Sequence, residues 1–112
     1  MKEIVTDDDV QKALDFLRYE APKAAEAKAH RIYITEFRKV IKAQVMQRFI
    51  NQSHTTQERN AYSDLEYIAH LDALKEAIKN DVFFEWKRAA AEATIEAWRT
   101  QNANLRGERK LG

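Results

Sequence analysis

The sequence predicts an all-α fold, a compact helical bundle of four main helices in which the two longest pack together. Three observations predict it. The 112 residues include only 2 glycines and 1 proline, and both glycines, Gly107 and Gly112, stand in the last six positions. A β-rich chain of this length would need many more turn residues. Apolar residues recur at helical spacing along almost the whole chain. Helix-start signals also punctuate it at intervals.

Taken in order, Thr6 followed by Asp7, Asp8 and Asp9 is a helix start. The threonine hydroxyl caps orphan amides, and the acids face the positive end of the helix. Val10, Leu14 and Leu17, with Ala13 and Phe16 alongside, make a first helix over 7–20. Pro22 interrupts it and opens a second, since proline suits a first helical turn. That helix is expected over 22–50, with Tyr33, Phe37, Val40, Ile41 and Val45 as its core stripe and Ile34 at the edge. Thr55 with Glu58, and Ser63 with Glu66, read as capping boxes. They predict a short turn at 56–61 and a third helix over 64–79, apolar through Leu65, Ile68, Leu71, Leu74 and Ile78. Asn80-Asp81 reads as a break, and a last helix follows over 82–104. Residues 1–104 are expected to form a single domain, and 105–112 a flexible polar tail.

The last helix has two apolar sides. Val82, Trp86, Ala89, Ala90, Ala93 and Ala97 share one; Phe84, Ala91, Ile95 and Trp98 share the other. Alanines let a neighbouring helix approach closely, so the first side is read as core, with Trp86 more buried than Trp98. Phe84, Ile95 and Trp98 are then the candidate protein interface, for a homodimer or another partner. The alternative is a central helix covered on both sides.

Net charge is +1, yet charge is unevenly placed: residues 21–50 carry seven basic and two acidic side chains. Lys28, Arg31, Arg38, Lys39 and Lys42 fall in one sector, between about 140° and 240° from Tyr33 around the helix. Neither acid of the segment lies there. Such a stripe suits a phosphate backbone or an acidic protein surface. It also suits an ordinary solvated face beside the acidic first helix. No aromatic ring interleaves the cations, so any nucleic-acid binding would be electrostatic and indifferent to base sequence. The tail adds Arg106, Arg109 and Lys110 against Glu108.

Much chemistry is missing. With no cysteine there are no disulfides, thiolate zinc sites or cysteine nucleophiles. Without a glycine-rich loop, Rossmann and P-loop nucleotide binding are disfavoured. Glu26/His30 and Glu66/His70 stand four apart, but two ligands do not make a metal site, and no His-Glu-x-x-His occurs. The serines lack an elbow motif. The expectation is a non-enzyme without cofactor or metal. The opening MKEIVTDDDV is unlike a signal peptide, and no apolar run approaches the roughly 20 residues of a membrane span. A cytoplasmic location with no membrane partner is therefore expected.

Two segments, WKRAAAEATIEAWRTQNANLR (Trp86 to Arg106) and APKAAEAKAHRIYITEFRKVIKAQVM (Ala21 to Met46), resemble recurring helices of small uncharacterised bacteriophage and prophage proteins. Together they cover about two fifths of the chain. The resemblance implies a phage-encoded protein in a bacterial cytoplasm, and supplies no site residues. Small phage proteins of this kind commonly redirect a host protein or assist DNA transactions. The leading expectation is thus a non-catalytic interaction protein that binds a host or phage protein, with inhibition of a host defence system as one form. The alternative is an accessory nucleic-acid-binding protein that uses the basic face of helix 22–50.

Overall fold

A computed structural model describes residues 4–111. They form four helices and no strand: α1 (Asp7–Tyr19), α2 (Ala21–Gln47), α3 (His54–Ser63) and α4 (Leu65–Leu111). α2 packs on the last helix, through its 65–81 part, which the sequence reads as a separate third helix. The all-α class agrees with the sequence. The single compact bundle does not. Contacts gather instead into two units, one of residues 1–24 with 83–112, the other of residues 25–82.

The expected break at Asn80-Asp81 is absent, and the third and fourth expected helices are one helix. In a helix interior Asn and Asp cost only tenths of a kcal/mol each. Asp81 does not turn back to compete for backbone amides, because its carboxylate pairs with Arg31 of α2 at 2.9 Å. Nothing therefore stops the helix there. It also continues through residues 105–111, where a flexible tail was expected. Gly112 and the side chains of Lys110 and Leu111 lie outside the described residues.

In the first unit, α1 begins as its sequence prescribes. Thr6 Oγ1 accepts from Asp9 N at 3.1 Å, and Thr6 N donates to Asp9 Oδ2 at 2.9 Å, a closed capping box. These bonds to Thr6 hold the Asp9 carboxyl below the usual carboxylate range. Val10 and Ala13 are the buried residues of α1, and Ala91 is buried on α4. Three contacts set the register: Val5 with Gln101, Asp7 with Trp98, and Phe16 with Lys87. Rising numbers on one side meet falling numbers on the other, so the two segments are antiparallel.

In the second unit, Ile41, Val45, Ala61 and Tyr67 form the core, with Phe37, Met46 and Phe49 packed around it. α3 is a full helix rather than a turn. Its cap is Ser53, whose Oγ accepts from Thr56 N, and not Thr55. Ser63 caps nothing: its hydroxyl turns back to the carbonyls of Arg59 and Asn60, while Asp64 Oδ1 accepts from Glu66 N. The buried face of α4 here is Tyr67, His70, Leu74, Ala77 and Asp81. Of the five apolar residues expected on that face only Leu74 is buried; Leu65, Ile68, Leu71 and Ile78 are exposed. On α2, Ile41 and Val45 are buried as expected, but Tyr33 is 62% exposed and Val40 is exposed too.

Candidate functional site

The cationic stripe on α2 is largely occupied by partners within the chain. Arg31 Nε lies 2.9 Å from Asp81 Oδ2. Lys39 pairs with Glu36 at 3.0 Å. Lys42 donates to Tyr62 Oη at 2.8 Å and to Glu58 Oε1 at 3.1 Å, and its ammonium also sits 4.7 Å from the Tyr62 ring centre. The Tyr62 hydroxyl first, and Glu58 second, raise the Lys42 pKa above the ordinary lysine value. Lys28 is exposed and Arg38 half-buried, with no ion pair to either among the described residues. A stripe that reads as five free cations thus presents two.

The structure brings Phe84, Ile95 and Trp98 together on one side of α4, and all three are half-buried. Trp98 Nε1 donates to Asp7 Oδ1 at 3.1 Å, which faces this side toward α1. The clamp one turn on does the same. Gln101 Nε2 donates to Val5 O at 2.9 Å while Gln101 Oε1 accepts from Val5 N at 3.1 Å. A single amide side chain thereby satisfies both polar groups of one backbone residue ahead of α1.

The other apolar side is the open one. Trp86, expected in the core, is 71% exposed, and Phe83 is 54% exposed. Ala89, Ala90, Ala93 and Ala97 are exposed as well. The expectation that Trp86 is buried more deeply than Trp98 is therefore reversed. The physical reason lies in α1: its apolar stripe meets the side with the larger half-buried groups, where Ala91 leaves room for close approach. The uncovered residues Phe83, Trp86, Ala90, Ala93, Ala97 and Thr100 are spaced three and four apart, the seam pattern of helices that pack in pairs. Toward the C-terminal end this face opens into a groove of about 930 Å³, floored by Ala93, Ala97, Thr100 and Asn104 and walled by Ile4, Val5, Gln101 and Leu105, with Glu96 and Glu108 at its edge.

Among the described residues no group of three or more His, Asp or Glu side chains is placed to hold a metal ion. His70, buried, makes a 2.8 Å contact between Nε2 and the Ile34 carbonyl and packs against the Phe37 ring, both structural roles. No helix of the described residues is long and apolar enough to cross a membrane. Compared with known proteins, the chain matches no family model, no curated protein sequence and no solved structure.

Sequence reasoning missed Asp81 and Gln101, whose roles depend on partners far along the chain. It also inverted the two faces of α4. The heptad spacing of the alanine side was the signal available. It marks a packing seam without saying which molecule fills it.

Proposed function

We propose that this protein is a non-catalytic interaction protein, which binds another protein chain through the exposed side of α4 around Trp86. The observation that carries the reading is the uncovered seam itself. Two large aromatic residues stand on it at 71% and 54% exposure, in line with alanines and next to an apolar groove. Scattered exposed apolar residues need no explanation, but a contiguous patch of this kind marks an interaction surface. Aromatic residues anchored among small ones are also where binding energy concentrates in protein interfaces. The setting we propose is a bacterial cytoplasm, with a phage-encoded chain meeting a host or phage protein. It rests on the resemblance of the Ala21–Met46 and Trp86–Arg106 segments alone. Inhibition of a host defence system is one form this binding would take.

The test is affinity purification of the full chain from a bacterial host under nuclease treatment, beside a Trp86→Glu/Ala93→Glu variant. A protein captured by the native chain and lost with the variant supports the reading. Retention of every captured protein by the variant overturns it. Capture that disappears with nuclease, and survives the variant, returns the function to nucleic acid and the α2 cations.

A further inference from the structure

We infer that the occupant of this face is a second copy of the chain, docked antiparallel so that Trp86 of each copy fills the other's groove. The inference rests on the proposed interaction role of α4 and names its partner. Knob and hole lie on one helix face at different heights. Trp86 stands about eleven residues before Ala97 of the groove floor, roughly 16 Å along the axis at 1.5 Å per residue. Its own ring cannot fold back that far along a straight helix, so a Trp86 ring in the groove would come from another copy. A two-fold axis midway between Ala90 and Ala93 sets Trp86 opposite the partner's Ala97 and Phe83 opposite the partner's Thr100. Ala90 and Ala93 then meet at the centre, where small side chains allow close approach. Each large residue meets a small one, twice, by the same operation. That is the isologous pairing a closed dimer requires.

The flanking groups agree with this register. Lys87 falls beside the partner's Thr94 and Gln101, Ala89 beside the partner's Ala89, and Val82 beside the partner's Glu96, so no like charges are opposed. Lys87 is also occupied over the Phe16 and Phe83 rings, at 5.2 and 5.4 Å from their centres. The indole N–H of Trp86 reaches the polar end of the groove, where the Thr100 hydroxyl is an acceptor. The area suffices as well. Aromatic side chains of about 150–250 Å² each, at the exposures of Trp86 and Phe83, leave roughly 300 Å² open. Adding the alanines, Ile4 and Leu105 brings each copy to the order of 600 Å². The pair then buries roughly 1,200 Å², the lower end of specific interfaces.

The experiment is sedimentation velocity on the full chain across a concentration series, with Trp86→Ala and Ala93→Glu beside it. The native chain should sediment as a dimer. Both variants should weaken dimerisation by about a hundredfold or more, as loss of a central aromatic anchor does, with unchanged helical circular dichroism. Register is read from single cysteines, which are unambiguous because the chain has none. Ala90→Cys should oxidise to a covalent dimer. Ala97→Cys, whose two copies would lie roughly 16 Å apart along the axis, should not. A native chain that stays monomeric at high concentration overturns the inference, as does cross-linking at Ala97 equal to that at Ala90. If the chain is monomeric yet captures a host protein that Trp86→Glu/Ala93→Glu loses, the dimer fails and the interaction role stands. If that capture fails as well, both fall.

Discussion

Cutting the Arg31–Asp81 pair from its two ends should have unequal consequences. Asp81 is 2% exposed, and among the described residues Arg31 is its only charged partner. The Arg31 side chain is 33% exposed. Although Nε and Oδ2 are 2.9 Å apart, the N–H is not aimed along a hydrogen bond, and Oδ2 has no aligned donor. The attraction is therefore mainly between charges, and the carboxylate has nothing else to lean on. Arg31→Ala strands a buried anion, a loss of about 3–5 kcal/mol. Asp81→Ala leaves a cation that can swing into water, and it exchanges a modest helix former for the best one. The gain in propensity is about 0.6 kcal/mol and offsets a part of a lost interaction of about 1.5–3 kcal/mol. The net cost should be about 1–2 kcal/mol. Arg31→Met/Asp81→Leu should return to within about 1 kcal/mol of the native chain or exceed it, since buried pairs often yield to apolar packing without loss. Urea unfolding followed by circular dichroism gives the stability of all four chains. If Arg31→Ala costs no more than Asp81→Ala, Asp81 is not a dependent buried charge and the reasoning is refuted.

Three further outcomes are expected. At protein concentrations low enough to exclude association, Trp98→Ala should destabilise by about 1.5–2.5 kcal/mol, half the cost of a fully buried tryptophan, and Trp86→Ala by under about 0.5 kcal/mol; the reverse order in urea melts would put the faces of α4 back as the sequence suggested. Gly107 lies inside α4 with nothing within 4 Å of where a Cβ would stand, so Gly107→Ala should add about 0.4–1 kcal/mol, and a thermal melt showing a loss would contradict a helix through that position. The folded pKa of Asp9 is depressed, so its contribution is present above the ordinary carboxylate value and lost as pH falls through the lower folded one; Asp9→Asn should remove that acid-side loss of α1 helicity, and an unchanged acid titration by circular dichroism would count against the capping box.

Local chemistry was legible and distant pairing was not. The start of α1 could be read from Thr6 and three aspartates because every group in that cap lies within four residues. The length of α2 was legible for the same reason, since alanine propensity and an N-terminal proline act locally. Asp81 looked like a break because its partner, Arg31, is on another helix. The spacing of Glu66 and His70 said nothing of the burial of His70, because its contact, the Ile34 carbonyl, is likewise remote. The faces of α4 failed differently. Periodicity shows that a helix has two apolar sides, but which side α1 covers is set by the burial of Val10, Ala13 and Ala91 and by the Asp7–Trp98 and Val5–Gln101 bonds. None of these has a signature in spacing.

The same distinction bears on two surfaces, the basic face of α2 that the sequence offered for binding and the Trp86 side of α4 that it read as core. A stripe of cations can be discharged by acids from elsewhere in the fold, and Asp81, Glu36 and Glu58 do this for three of the five. Binding a phosphate backbone through them would first break those pairs, so the counterion release expected from five free charges is not on offer. An apolar seam behaves in the opposite way. Exposed alanine alone would mean little, because high helix propensity justifies it on any solvated face. Trp86 and Phe83 gain nothing of that kind from their positions, for aromatic residues are only middling helix formers. Their exposure beside a groove built from small side chains is therefore the observation on which the proposed second copy rests.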